Sequence, residues 1–385
     1  MSALNLAACT RAPYVDLDRI RRTIDEGPYD AVLALAPENV PYYSGFYNID
    51  LRLLPERLHV CIWPRGGEPA LVVVERRARL LRPDETYLTD IRGYQGEGLD
   101  AMRAVAEVLR DRGVDKGLIG YEARSFPGGQ LVELMRLLPG LRFEDAYHFL
   151  EGPRVIKTPA EVEVMTRVNR MTTDAIDTAF RAVRIGDTER SVMARMHAEL
   201  IGNGVDVVIA PLLAAGHRSG IWHGTAGDLR LEEGMVLKTD FGGLLDGYYS
   251  DIARTAVVGR ASPRQRDIHA KITEIKHRIV AGIRPGMPAG DAARIGIKAY
   301  EDLGLEFKWH ILGHSLGLGV HEAPQIYPWV EEPILTGMTM MIEVGFSDYP
   351  NDSFHVEDLI YINEEGAEYV TDARAHEQIW ELGRD

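Results

Sequence analysis

Hydrophobic and polar positions follow two different rhythms along this chain. Up to residue 152, short apolar runs that suit strands alternate with segments of helical period. Leu17 to Thr23 is amphipathic, Tyr29 to Leu35 reads as a strand, and Pro37-Glu38-Asn39-Val40-Pro41-Tyr42-Tyr43-Ser44-Gly45-Phe46 reads as a turn leading into an aromatic segment. Leu58 to Trp63 and Pro69 to Val74 form a strand pair around Arg65-Gly66-Gly67, and Leu99 to Arg112 is a helix with Met102, Val105, Val108 and Leu109 on one face. Leu118 to Tyr121 is a further strand and Gln130 to Leu138 a further helix. This alternation predicts an α/β domain over residues 1–152. It carries no constellation of catalytic residue types.

From Arg154 onward the helical segments lengthen and the pattern repeats itself. Thr158-Pro159-Ala160-Glu161 is a capping box with proline at the first helical position, and Ser262-Pro263-Arg264-Gln265 is the same device 104 residues later. Gly186-Asp187 is expected to end one helix and start another, and Gly290-Asp291 to do so again at the same offset of 104. Asp240 and Glu343 follow at an offset of 103. Residues 153–385 are therefore predicted to form an α+β domain of two similar halves related by a pseudo-two-fold repeat. Each half has two helices and a strand ribbon, and each ribbon carries an acidic pair, Asp240 with Asp251 and Glu343 with Glu357.

The first ribbon is the more legible. Asp246-Gly247 is a hairpin-turn signal between aromatic and aliphatic flanks. A two-residue loop there places Asp251 diagonal to Asp240, and a four-residue loop from Leu244 to Gly247 places it directly opposite. Either register puts both carboxylates on one face. Two carboxylates held close on mostly buried strands repel, so a cation is expected between them. Taken alone, the pair is better read as a turn or salt-bridge aspartate, with Arg254 as a partner.

Composition narrows the class. The 385 residues carry 43 basic and 58 acidic side chains, a formal charge of −15. An acidic chain without a basic cluster is a poor candidate for nucleic-acid binding. No apolar run approaches the roughly 20 residues that span a bilayer, and the N-terminus lacks a basic flank with an apolar core, so a cytoplasmic location and no membrane partner are expected. Cys9 and Cys61 are too few for a disulfide framework and do not form a metal-type pair.

Downstream lies Trp309-His310-Ile311-Leu312-Gly313-His314-Ser315-Leu316-Gly317-Leu318-Gly319-Val320-His321-Glu322-Ala323-Pro324. His310 and His314 have the spacing of a zinc-protease helix, but Ile311 stands where its general-base Glu belongs and Gly313 weakens a helix. No Gly-Lys-Ser/Thr closes the glycine run as a phosphate loop requires.

These residues resemble the creatinase/aminopeptidase P/prolidase superfamily. Its pattern appears in order as Asp240 with Gly242, Gly247 to Thr255, His310 to Glu322, Glu343, and Glu357-Asp358. The resemblance implies an α/β N-terminal creatinase-like domain followed by an α+β pita-bread C-terminal domain. It implies a site for two divalent metal ions, Asp240 on one, Asp251 and Glu357 bridging, His314 and Glu343 on the other. A donor set of carboxylates and one imidazole suits manganese first, with cobalt, zinc or iron as alternatives. His223, His310 and His321 match the family's pocket histidines, which contact the substrate carbonyl or leaving group. Glu322 and Asp358 also have a bland reading as capping or supporting carboxylates.

Two positions depart from the pattern. His355 stands where the family's peptidases commonly carry Arg, and Val344 stands where a Pro is usual. Imidazole cannot make a two-pronged guanidinium contact. Arg52 is expected to supply the missing cation from the N-terminal domain of a second subunit in a homodimer. The resemblance implies a hydrolase of a C–N amide bond, with an Xaa-Pro peptide as default substrate. His321 would stabilise the oxyanion and Glu343 would shuttle the proton. The rivals are a hydrolase of a small metabolite or a metal-dependent lyase on the same fold, and a non-catalytic binding module.

Overall fold

The computed structural model describes residues 4–96, 98–221, 223–308, 311–348, 351–371 and 376–384. It divides into two compact units, Met1–Ala160 and Glu161–Asp385.

The N-terminal unit is a six-stranded mixed sheet with helices around it. Its strands are β1 (Ala31–Ala34), β2 (Val60–Pro64), β3 (Ala70–Val74), β4 (Ile91–Tyr94), β5 (Lys116–Tyr121) and β6 (Gly140–Asp145), in spatial order β4-β3-β2-β1-β5-β6. Its helices are α1 (Leu17–Glu26), α2 (Asn39–Ser44), α3 (Asp50–Leu53), α4 (Glu75–Leu80), α5 (Gly98–Asp111), α6 (Gly128–Leu137) and α7 (Tyr147–Val155). Asp16 caps α1 by accepting the Arg19 N–H at 2.9 Å, and Ile20 and Ile24 face inward. Met102, Val105, Val108 and Leu109 of α5 are fully buried in one cluster with Leu33, Ile62 and Val72, as the helical period requires.

One expectation fails here. The stretch read as a turn into an aromatic segment contains α2, all six of whose residues are buried. Pro41 falls in the first turn, where its missing N–H is harmless, and Gly45 ends the helix at φ +74°. Tyr42 and Tyr43 donate their hydroxyls to the Pro153 and Leu150 carbonyls at 2.8 and 3.0 Å. Tertiary anchoring of two tyrosines thus outweighs their modest helix propensity.

The C-terminal unit is α+β and repeats itself. Helices α8 (Pro159–Arg181) and α9 (Glu189–Gly202) precede a sheet of β7 (Val207–Ala215), β8 (Val236–Leu245), β9 (Tyr248–Tyr249) and β10 (Ile252–Val258). Helices α10 (Pro263–Gly282) and α11 (Ala289–Asp302) precede a sheet of β11 (His314–Ser315), β12 (Glu322–Gln325), β13 (Thr339–Ser347), β14 (Ser353–Ile362) and β15 (Ala367–Tyr369); β16 (Trp380–Leu382) returns to pair with β10. The first helices of the halves start 104 residues apart, the second helices 100, and β8 and β13 start 103 apart.

The expected matching break at Gly290-Asp291 is therefore corrected. Gly290 lies inside the first turn of α11, and the loop before that helix bends at Gly286 with φ +88°. In the first half the corresponding turn uses Gly186, φ +92°, and Thr188 caps α9 in a capping box with Ser191. The first helix has 23 residues in one half and 20 in the other, and the connections that follow differ by one residue, so the shared Gly-Asp dipeptide does not mark a shared position. Ser262 does form the predicted capping box with Gln265 at α10.

Candidate metal centre

The site begins with the hairpin between β8 and β10. Asp246 and Gly247 take φ +53° and +84°, a two-residue turn, and residue pairs run Leu245↔Tyr248, Leu244↔Tyr249, Phe241↔Ile252 and Asp240↔Ala253. Asp251 is thus diagonal to Asp240, the two-residue-loop register of the two left open by the sequence. Gly242 permits this geometry, because a Cβ there would stand 2.1 Å from the Ser250 carbonyl oxygen.

The second half supplies the rest. Glu343 on β13 stands directly opposite Glu357 on β14, and His314 on β11 is opposite Met341 of β13. Hydrogen bonds join the halves where the ligand strands meet. The Thr255 hydroxyl donates to the His355 carbonyl and accepts the His355 N–H, both at 2.9 Å, and Arg254 donates to the Glu357 carbonyl at 2.6 Å.

His314 Nε2 lies 3.9, 3.8 and 3.6 Å from carboxylate oxygens of Asp251, Glu343 and Glu357. Donor atoms within 4.8 Å of one another form the groups Asp240/Asp251/Glu357, His314/Glu343/Glu357 and Asp251/His314/His321. Glu357 belongs to two of these groups, as does Asp251. All five residues named from the sequence as ligands are brought together.

Charge balance tests whether cations fit. Asp251 and Glu357 are buried at the cleft floor; burial pushes both carboxyls well above the ordinary range, and neighbouring carboxylates push further, Glu357 and Asp240 acting on Asp251, Glu343 and Asp240 on Glu357. Four carboxylates so placed, with one imidazole among them, call for bound cations of oxygen-preferring type. The residues fit divalent ions.

Around the cluster, other groups are already committed. Burial alone would raise the Asp358 carboxyl, but Arg254 and Lys276 hold it well below its usual range; Arg254 bonds it at 2.7 Å and Lys276 bonds its other oxygen. Glu322 accepts the Gly319 N–H at 2.8 Å, and a Cβ on Gly317 would sit 2.8 Å from the same carboxylate. Asp358 and Glu322 thus have partners of their own, and Arg254 pairs with Asp358 rather than with the Asp240/Asp251 pair to which the sequence offered it.

A cleft of about 120 Å³ opens onto the cluster. His223, His321 and His355 line it. His223 is exposed and sits at φ +53°, a sparsely allowed conformation for a residue with a side chain. The His321 ring lies 4.3 Å from that of His314. His355 is buried, with Nε2 3.5 Å from Glu343 Oε2. His310 lies outside the described residues. Arg52 belongs to the N-terminal unit, on α3.

Lys238 also lines the cleft, and the sequence reading missed it. Along β8 every residue is buried except Lys238 and Asp240, which share one face by the two-residue period. Burial pulls the Lys238 ammonium below its ordinary range, and Asp240 draws it back up. Its spacing from Asp240 was the available signal.

Comparison with known proteins agrees with this architecture. A family model described as the creatinase/prolidase N-terminal domain matches residues 17–156, and one described as metallopeptidase family M24 matches residues 163–364. The Xaa-Pro dipeptidase of Pyrococcus furiosus is 28% identical over 358 residues, 92% of this chain and 97% of that protein. The solved prolidase of Pyrococcus horikoshii OT3 matches with a TM-score of 0.80 at 26% identity, covering 92% of this chain and 97% of that one. The X-Pro aminopeptidase of Thermotoga maritima MSB8 shares the fold, with a TM-score of 0.82 at 21% identity over 96% of this chain and 100% of that one. With the M24 model matching more than half its length, the chain belongs to metallopeptidase family M24 and carries a creatinase/prolidase N-terminal domain.

Proposed function

We propose that the chain is a metal-dependent Xaa-Pro peptidase in which Asp240, Asp251, His314, Glu343 and Glu357 hold two divalent ions, manganese first among the candidates. The observation that carries this reading is the pair of overlapping donor groups, Asp240/Asp251/Glu357 and His314/Glu343/Glu357, facing one cleft. Divalent ions in such a site supply Lewis acidity toward a carbonyl oxygen and lower the pKa of water.

The side chains do the rest. Glu343 Oε2 takes the proton released as water adds to the scissile carbonyl, and returns it to the prolyl nitrogen as the C–N bond breaks. His321 and His223 donate hydrogen bonds from the cleft wall to the developing oxyanion and to the substrate carbonyl. His310 is assigned to the same group of contacts. His355, 3.5 Å from the proton-carrying oxygen of Glu343, orients that carboxylate and faces the substrate.

A homodimer, with Arg52 reaching the substrate of a second subunit, belongs to the same reading. So does a cytoplasmic location, which suits the free thiols of Cys9 and Cys61. The relatives named above are a dipeptidase, a prolidase and an aminopeptidase. Those names do not favour the small-metabolite hydrolase, the lyase or the binding module.

The test is proline release from Xaa-Pro dipeptides and an Xaa-Pro-Yaa tripeptide by protein stripped with chelator and reloaded with Mn²⁺, Co²⁺, Zn²⁺ or Fe²⁺. Metal-restored cleavage is expected. Two tightly bound ions without proline release would overturn the peptidase assignment.

A further inference from the structure

We propose that Lys238 is the specificity-determining cation of the cleft and that it holds a carboxylate of the substrate. The inference rests on the hydrolase reading and narrows it to amides with an anionic group close to the scissile bond.

Three observations carry it. The first is position. Lys238 lies two residues before Asp240 on the same face of β8, about 6.6 Å along the strand, and these are the two positions of that strand that are not buried. An amide carbonyl placed at the donor cluster therefore has the ammonium within one amino-acid residue's length of its leaving group.

The second is charge. The cleft is lined by four carboxylates, Asp240, Asp251, Glu343 and Glu357, and by one lysine. Two divalent ions balance the carboxylates and leave the ammonium as one unbalanced positive charge. A neutral substrate would cover that ammonium without pairing it, which is expensive in a partly desolvated site. An anionic one pairs it in a charge-assisted hydrogen bond.

The third is that Lys238 has no structural employment. The neighbouring buried cations Arg254 and Lys276 are both bonded to Asp358. Among the described residues the Lys238 ammonium has no hydrogen-bond or ion-pair partner, and Asp240 is the charge that acts on it. A lysine kept in a buried strand, aimed into a cleft and left unpaired there, is arranged for a ligand.

The experiment compares wild type, Lys238→Met and Lys238→Arg, each metal-reloaded and checked for metal content. Cleavage of Ala-Pro is measured against Ala-prolinamide, and binding of L-proline against L-prolinamide is measured by calorimetry. Wild type is expected to prefer the acid. Lys238→Met is expected to lower that preference in kcat/KM, and the affinity for L-proline, roughly tenfold or more, the loss of one hydrogen bond to a charged group. Lys238→Arg keeps the preference. Equal use of acid and amide by wild type, or an acid preference that survives in Lys238→Met, overturns the assignment and leaves the hydrolase reading standing. No cleavage by any form, with proline binding lost in Lys238→Met, overturns the peptidase reading and keeps the anchor. No cleavage and no Lys238-dependent binding overturns both.

Discussion

Glu343 and Glu357 face each other across β13 and β14, and both point a carboxylate oxygen at His314 Nε2, at 3.8 and 3.6 Å. Strand pairing alone thus brings together charges that repel unless a cation separates them. Burial intensifies the repulsion at Glu357. The cluster is therefore destabilising when stripped of metal and stabilising when loaded.

Chelation is accordingly expected to lower the thermal midpoint of the protein, and reloading to restore it. Metal held a thousandfold above its dissociation constant stabilises by about 4 kcal/mol per site. Glu357→Gln removes the carboxylate shared by two donor groups. Its activity should fall by more than the ~10–100-fold that follows loss of an outer-shell partner, and its metal content should drop below that of wild type. The chelator-induced shift should shrink with it. Elemental analysis and calorimetry on the same samples check this, and an unchanged metal content in Glu357→Gln would remove it from the ligand set.

Asp358 is the next residue whose loss is informative. It binds Arg254 at 2.7 Å and Lys276, and accepts the Thr371 hydroxyl at 3.2 Å. Arg254 in turn holds the Glu357 carbonyl. Asp358→Asn leaves two buried cations underpaired and should destabilise by about 3–5 kcal/mol. Where the variant still folds, metal affinity should fall by ~10–100-fold through the loosened Glu357 backbone. Denaturant titration and metal competition with a chelating dye separate the two effects.

The candidate ligands stand out in the sequence as acids and an imidazole set among glycines and apolar residues, where an unpaired polar group is costly, and it is the resemblance to a family pattern that singles them out as a set. Their pairing was half legible. Sequence limited Asp251 to two registers, and the positive φ values of Asp246 and Gly247 selected the two-residue loop. Lys238 went unread because one lysine in an apolar strand looks like a solvated edge; its meaning depends on β7 and β10 covering both sides of β8. Helix α2 went unread for a related reason. Its Pro, Tyr and Gly residues signal a turn locally, and the carbonyls that anchor its tyrosines lie more than a hundred residues away in sequence.

Gly242 converts that register into a prediction. Its Cβ would meet the Ser250 carbonyl at 2.1 Å, a backbone atom that cannot swing aside. Gly242→Ala must push β8 away from the segment that carries Asp251. It should destabilise by about 1–3 kcal/mol and lose metal in proportion to the displacement of Asp251 from Asp240. Gly128→Ala is the control, at the start of α6 with nothing within 4 Å of an added Cβ; it should be neutral or stabilising. Metal content that stays full in Gly242→Ala would show that the ribbon tolerates the extra atom.

The N-terminal unit carries its own pH dependence, set by two buried groups with opposite signs. Burial pulls the His59 imidazole down to about 4; Asp50 opposes this, and Arg77 and Arg57 reinforce it. The ring is stacked on Phe46 at 5.4 Å. A depressed histidine contributes stability that is present above its unfolded value near 6.5 and is lost as pH falls toward 4, at most about 3 kcal/mol. Glu122 runs the other way. Burial pushes its carboxyl up to about 7 although the Ala36 N–H and the Asn39 amide donate to it at 2.7 and 2.6 Å. A raised carboxyl contributes stability that is complete below its unfolded value near 4.5 and is lost as pH rises through 7, again by at most about 3 kcal/mol. Their windows, about pH 4 to 6.5 for His59 and about 4.5 to 7 for Glu122, nearly coincide with opposite slopes, so in the wild type the two offset each other and leave the stability of this unit nearly flat between about pH 4.5 and 6.5. Urea denaturation across pH 4 to 8 is expected to show it. His59→Gln should uncover the fall of Glu122 between about pH 4.5 and 7, and Glu122→Gln the rise of His59 between about pH 4 and 6.5. A wild-type profile that climbs from about pH 4 to 6.5 and then levels off would mean that Glu122 is ionised in the folded state, held by its hydrogen-bond donors against its own burial.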